Sequence, residues 1–266
     1  MSDATTQTPT PTAAPPPRAE SFRRFTNRQR LEHFVMMISI IVLTVTGLPQ
    51  KYADAGWAEW IVMGLGGIDT TRAVHRLFGA LLALAALEHM IFILGSLLLG
   101  RARATMVIAR KDVTDAVLNL KYCLGIAPKA PQFDRFDYKQ KFEYWGLIFG
   151  GLVMICTGLV LWFPTVAARY LPASVIPTSK VLHTNEAMLA TLVVVVWHMY
   201  GSHLSPEVFP ADTSIFTGRI SRERLKHEHF LEYQRVTAAE PPDDEAHDGH
   251  DQPAPGGTPQ GGDKTG

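Results

Sequence analysis

Cysteine is nearly missing from this chain of 266 residues, which has only Cys123 and Cys156. Two thiols cannot form a disulfide framework or supply the four thiolates of an iron–sulfur cluster. The attachment sequence C-x-x-C-H does not occur, so any haem is held without covalent bonds to the chain. H-E-x-x-H is missing too, which removes a common helical zinc-hydrolase pattern. No molybdenum, nickel or flavin motif is present, nor a large soluble domain to carry one. Neither sign of charge prevails, with 25 Lys and Arg against 25 Asp and Glu. No nucleic-acid partner is expected.

The apolar residues, 47% of the chain, are unevenly spread. They concentrate in four blocks, about Leu31–Leu48, Val74–Leu99, Tyr144–Phe163 and Val181–Tyr200. Each approaches the ~20 residues that cross a hydrocarbon core as a helix. The sequence therefore predicts an all-α membrane protein, a four-helix transmembrane bundle over residues 21–205. Pro49 and Pro164 are expected to end the first and third spans. Thr105–Leu124 is apolar only at intervals and reads as an amphipathic interfacial helix. Residues 1–20, rich in Thr, Pro and Ala, and residues 237–266, rich in Asp, Gly and Pro, read as disordered tails. The basic cluster after the first prolines has no small-residue cleavage site behind it, which argues against a secretory signal. Residues 206–236, with Ser221 as a helix cap and charged residues through Gln234, read as a cytoplasmic docking segment. The connections before the first span, between the second and third, and after the fourth carry 19 Lys and Arg, against 4 in the other two. That bias puts both termini in the cytoplasm of a bacterial inner membrane.

Histidine supplies the chemistry. The second block carries His75 and His89, fourteen residues apart, and the fourth carries His183 and His198, fifteen apart. On an α-helix such steps return to within roughly 40–60° of one face and rise roughly 21–22 Å. Two facing helices would then offer two stacked imidazole pairs, His75 with His183 outside and His89 with His198 inside. Bis-imidazole ligation of two haem b irons needs this arrangement. His33, at the start of the first span, has the same depth as His89 and is open as its replacement or as a ligand of a third haem. Intramembrane histidines also serve as packing or proton-path groups, so a haem-free helical scaffold or small proton-coupled transporter is the alternative. Iron with two imidazoles has no open position, so such sites transfer electrons and leave substrate chemistry to a partner.

Arg28-Gln-Arg-Leu-Glu-His33 with Thr46-Gly-Leu-Pro49, Arg72-Ala-Val-His75-Arg-Leu-Phe-Gly79, and His183 with His198 together resemble a known family. It comprises the cytochrome b subunits of membrane-bound formate dehydrogenases, nickel–iron hydrogenases and thiosulfate reductases. The resemblance spans about residues 20–205 and implies a membrane anchor that passes electrons between a redox partner subunit and the quinone pool. In the formate dehydrogenase member it implies an outer haem at His75 and His183 and an inner one at His33 and His198, with His89 outside the scheme. The 14- and 15-residue spacings are instead similar to bc-type cytochrome b, where two helices supply all four ligands. The partner would be an iron–sulfur or c-type cytochrome subunit, and the substrate menaquinone or ubiquinone. Arg72 and Arg76 are candidates for haem propionates, as are Arg28 and Arg30. Gly47 and Gly79 are candidates for close approach of a porphyrin. Lys139, Glu143, Tyr144 and Glu186 are candidates for a quinone site.

Overall fold

The computed structural model describes residues 21–100, 104–206 and 208–238. The tails expected at 1–20 and from 237 onward lie outside them, apart from residues 237 and 238. Four helices are long and apolar enough to cross a membrane: α1 (Asn27–Lys51), α3 (Ile68–Leu98), α5 (Tyr138–Trp162), and α7 (Val175–Leu192) with its continuation to Leu204. Shorter helices α2 (Gly56–Gly64), α4 (Arg110–Cys123) and α6 (Pro164–Tyr170) lie between them. The all-α bundle expected from the sequence is the fold observed.

The spanning helices overrun their apolar blocks. α3 has 31 residues, roughly 46 Å at 1.5 Å per residue, and begins two turns before His75 rather than at it. α1 and α5 start with the same device. Thr26 accepts from the Gln29 amide while Gln29 Oε1 accepts from the Thr26 amide, and Asp137 and Gln140 repeat the exchange. Each box satisfies two amides that a helix start would leave bare. Pro164 ends α5 as expected and then occupies the first position of α6, where its missing N–H costs nothing. Pro49 does not end α1, which continues to Lys51. Its ring removes a hydrogen bond only in the final turn, where Gln50 Nε2 donates to the Thr46 carbonyl at 2.9 Å.

After Leu192 the fourth span widens into π-helical turns, Val193–His198 and Tyr200–Leu204. Such turns are rare and cluster at functional sites. The sequence reading assumed a regular helix here, and the wider coil changes the face on which His198 sits.

Beyond the bundle, β1 (Ser21–Arg23) pairs antiparallel with β2 (Arg219–Ser221), with Phe22 opposite Ile220. The two ends of the described chain therefore meet at one end of the bundle. After a single turn, α8 (Ser214–Thr217), the charged helix expected from Ser221 is two helices, α9 (Arg222–Glu228) and α10 (Phe230–Thr237), broken at His229. Ser221 caps the first by accepting from the Arg224 amide. Ile220 and Leu225 form a small apolar core under this cap. Arg24, 4% exposed, sits at its centre. It reaches Glu232 at 2.5 Å and His229 Nε2 at 3.0 Å, while Arg135 reaches the same Glu232 from the loop before α5.

Candidate functional site

The spans bury an unusual set of side chains. Within them the buried residues are Ser39, Thr46, Pro49, Thr71, Thr157 and Ser179. The buried apolar residues, Ala58, Ile220 and Leu225, all lie outside these helices. A four-helix bundle normally fills its axis with large apolar side chains. This one surrounds a cavity that opens at its end among the loops, about 4280 Å³ in all, several times the ~300–1,000 Å³ of an ordinary ligand pocket. Its lining includes His33, His75, His183 and His198 as well as Arg72, Arg76 and Gly79.

Two imidazole pairs face each other across that cavity. The His75 and His183 ring centres are 6.4 Å apart, and those of His33 and His198 are 6.2 Å apart. Among the described residues no direct hydrogen bond joins either pair. A metal held between two imidazoles separates their nitrogens by about 4 Å, twice the ~2.0–2.1 Å metal–imidazole bond. The remaining separation is taken up by the rings themselves. No group of three or more His, Cys, Asp or Glu is placed to hold a metal ion among the described residues. A bare zinc ion needs three or four protein ligands, whereas two axial ligands suffice where a porphyrin supplies the rest. The donor set fits haem.

The surroundings of the outer pair repeat from one helical hairpin to the other. Thr46 Oγ1 stands 2.9 Å from His75 Nδ1, and Thr157 Oγ1 stands 3.0 Å from His183 Nδ1. Each hydroxyl donates to the carbonyl four residues back, at 2.7 Å from Val42 O and 2.6 Å from Val153 O. The adjoining glycines lie against the same rings. A Cβ on Gly47 would be 3.0 Å from His75 Cε1, and one on Gly158 would be 3.3 Å from His183 Cε1. Gly79 has open space where its Cβ would be.

On the inner side, His198 Nδ1 meets Glu143 Oε1 at 2.6 Å. His33 Nδ1 is buried with no hydrogen-bonding partner. His89 is not brought against His198. Its Nδ1 stands 3.2 Å from Glu32 Oε2 and its Nε2 stands 3.1 Å from the Tyr144 hydroxyl. Both of its nitrogens are thus engaged inside a network that continues through Arg28 to Glu88. The structure thus sets His33, and not His89, opposite His198.

The remaining candidates divide. Arg76 lies over the Trp162 ring at 5.8 Å. Arg28 is committed to Glu32 and Glu88, and Arg30 to the carbonyls of Ile215 and Phe216. Among the described residues Lys139 reaches Asp137, at 3.8 Å. The Glu186 carboxylate rests on the Gly150 backbone, filling the place of a Cβ. The hydrogen bonds that Thr46, Thr157 and Glu143 make to the rings have no signal in apolar periodicity, although Thr-Gly recurs at 46–47 and 157–158, once in α1 and once in α5.

A membrane bundle with histidines paired across a wide axial cavity defines a transmembrane cytochrome of the b type. The family model of the prokaryotic cytochrome b561 matches residues 18–212, and the chain belongs to that family. It is also 20% identical over 208 residues to the Escherichia coli K12 nitrate-inducible formate dehydrogenase cytochrome b556(Fdn) subunit. That match covers 78% of this chain and 88% of the relative. The formate dehydrogenase cytochrome b556(fdo) subunit of the same strain is 23% identical over 185 residues, covering 70% and 80%. Membership in this family implies b-type haem and electron transfer.

Proposed function

We propose that the chain is a di-haem cytochrome b subunit that carries electrons through the membrane between a redox partner subunit and the quinone pool. The observation that carries this reading is the presence of two facing imidazole pairs, each with one ring from either hairpin, stacked along one cavity. His75 and His183 hold the outer group, and His33 and His198 the inner one. Some 13 residues separate His33 from Thr46, which touches the outer pair, so the sites lie roughly 20 Å apart along the axis. When bound, each haem supplies a one-electron couple with no open coordination position. The chain's residues do the rest: they fix the rings, exclude water between the levels and hold protons at the inner rim.

Likeness to formate dehydrogenase cytochrome b556 subunits supports an anchoring role in a complex of that kind, with an iron–sulfur or c-type partner on the outer face. Nineteen basic residues on one side of the membrane against four on the other support a bacterial inner membrane location with both termini cytoplasmic. In that orientation the inner pair, with Glu143, Lys139 and Tyr144 nearby, borders the cytoplasmic rim. A quinone reduced there takes two electrons and two protons. Tyr144, His89 and Glu32 form a hydrogen-bonded row beside it through which protons can pass.

The test is haem-to-protein stoichiometry on the isolated subunit. Wild type is expected to hold two haems per chain. His33→Ala and His75→Ala are each expected to lose one, and His89→Ala to keep both. A wild-type chain without haem would overturn the reading, and loss of the inner haem in His89→Ala rather than His33→Ala would move its ligand.

A further inference from the structure

The two imidazole pairs are held by different acceptors, and the difference is chemical. At the outer pair each threonine hydroxyl has spent its one proton on a backbone carbonyl, so its oxygen can only accept from the ring. That places the proton of His75 and of His183 on Nδ1 and leaves Nε2 of each as the free lone pair. At the inner pair the acceptor for His198 is the Glu143 carboxylate, whose side chain is 16% exposed, while His33 has no partner at Nδ1.

We propose that Thr46 and Thr157 are positioning residues for the outer site and Glu143 for the inner one. Together they fix the metal-facing nitrogen and tune the electron affinity of each site separately. An acceptor on the far ring nitrogen makes an imidazole a more basic ligand. A carboxylate acts more strongly than a neutral hydroxyl, because charge-assisted hydrogen bonds are roughly twice as strong. A more basic ligand favours the oxidised metal. Glu143 therefore pulls the inner couple toward the oxidised form, and each threonine does the same to the outer couple, about half as strongly. Gly47 and Gly158 belong to the same device, since they let each threonine's helix approach the ring closely enough to bond it. This inference rests on the two-haem reading above.

The experiment is an optical redox titration of the purified full chain. His33→Ala and His75→Ala, each retaining a single haem, assign the two components. Glu143→Gln is expected to raise the reduced-to-oxidised ratio of the inner component about tenfold at a fixed potential, which is about 59 mV for a one-electron couple. The outer component should not move. Thr46→Val and Thr157→Val are expected to shift only the outer component, in the same direction and by less. Thr46→Ser and Thr157→Ser, which restore a hydroxyl, should titrate as wild type. If Glu143→Gln sheds the inner haem, Glu143→Asp is expected to retain it, and loss in both would overturn the proposal. So would unchanged potentials in all three variants that still carry two haems. Failure of the underlying reading is a separate result, namely a wild type without two haems or a His33→Ala chain that keeps both.

Discussion

The bundle and the cap at its end solve the problem of burial in opposite ways. Inside the bundle the covered side chains are small hydroxyls and a proline, and large apolar residues face outward, away from the cavity: Leu77 is 64% exposed and Phe149 62%. In the cap, Ile220 and Leu225 are covered and a guanidinium sits among them, with Glu232, Arg135 and His229 closing round it. Lipid makes the outward face of the bundle cheap, so its inner face is free to be shaped around something other than side chains. Water allows the cap no such freedom, and it needs a core and paired charges of its own.

Four measurements would break or sharpen this contrast. The largest effect belongs to the bundle. His183→Ala should remove the outer haem entirely, seen as halved haem absorbance per chain, with no change in protease resistance of residues 219–237. Breaking the cap should do the reverse. Arg24→Met leaves Glu232 as a buried carboxylate with only Arg135, and losing one member of a buried pair costs about 3–5 kcal/mol. Hydrogen exchange in α9 and α10 should quicken accordingly while the haem spectrum stays the same.

A smaller effect follows from acid. Burial, with Arg24 beside it, pushes the His229 imidazole down to about 4, against ~6.5 in an unfolded chain. The folded cap therefore binds fewer protons than the unfolded one between those values. Its stability should be intact above about pH 6.5 and fall by up to ~1.4 kcal/mol per pH unit from there toward pH 4. Asp212 extends the loss further into acid. Burial opposes its charge, but hydrogen bonds from Arg224 and Ser214 outweigh that and hold it at about 2. Protection factors, with the pH dependence of intrinsic amide exchange divided out, that fall through pH 6 to 4 in the cap, and not in the spans, are the expected outcome. The smallest effect compares the two glycines. Gly47→Ala meets His75 at 3.0 Å and Gly158→Ala meets His183 at 3.3 Å, so the first should disturb the outer haem spectrum more than the second.

How far the sequence revealed this molecule differs between the same two regions. The spans were legible because twenty apolar residues in a row have few other uses, and the outer pair because His75 and His183 sit at matched depth. His33 was harder to place, since depth alone made it equal to His89. The decision lay in the register between helices and in π turns that no apolar periodicity marks. The cap was nearly invisible. Its strands are three residues each and 198 residues apart along the chain, and Arg24 looked like one more residue of a topology-setting basic cluster. Burial of this charge depends on partners from two distant segments, at Arg135 and at His229–Glu232, which local composition does not encode.

Each facing pair takes one imidazole from the α1–α3 hairpin and one from the α5–α7 hairpin. Whatever occupies the space between them therefore rivets two half-proteins together at two heights. Each hairpin packs far more closely within itself than against the other, so the join between the halves rests largely on what lies between the rings.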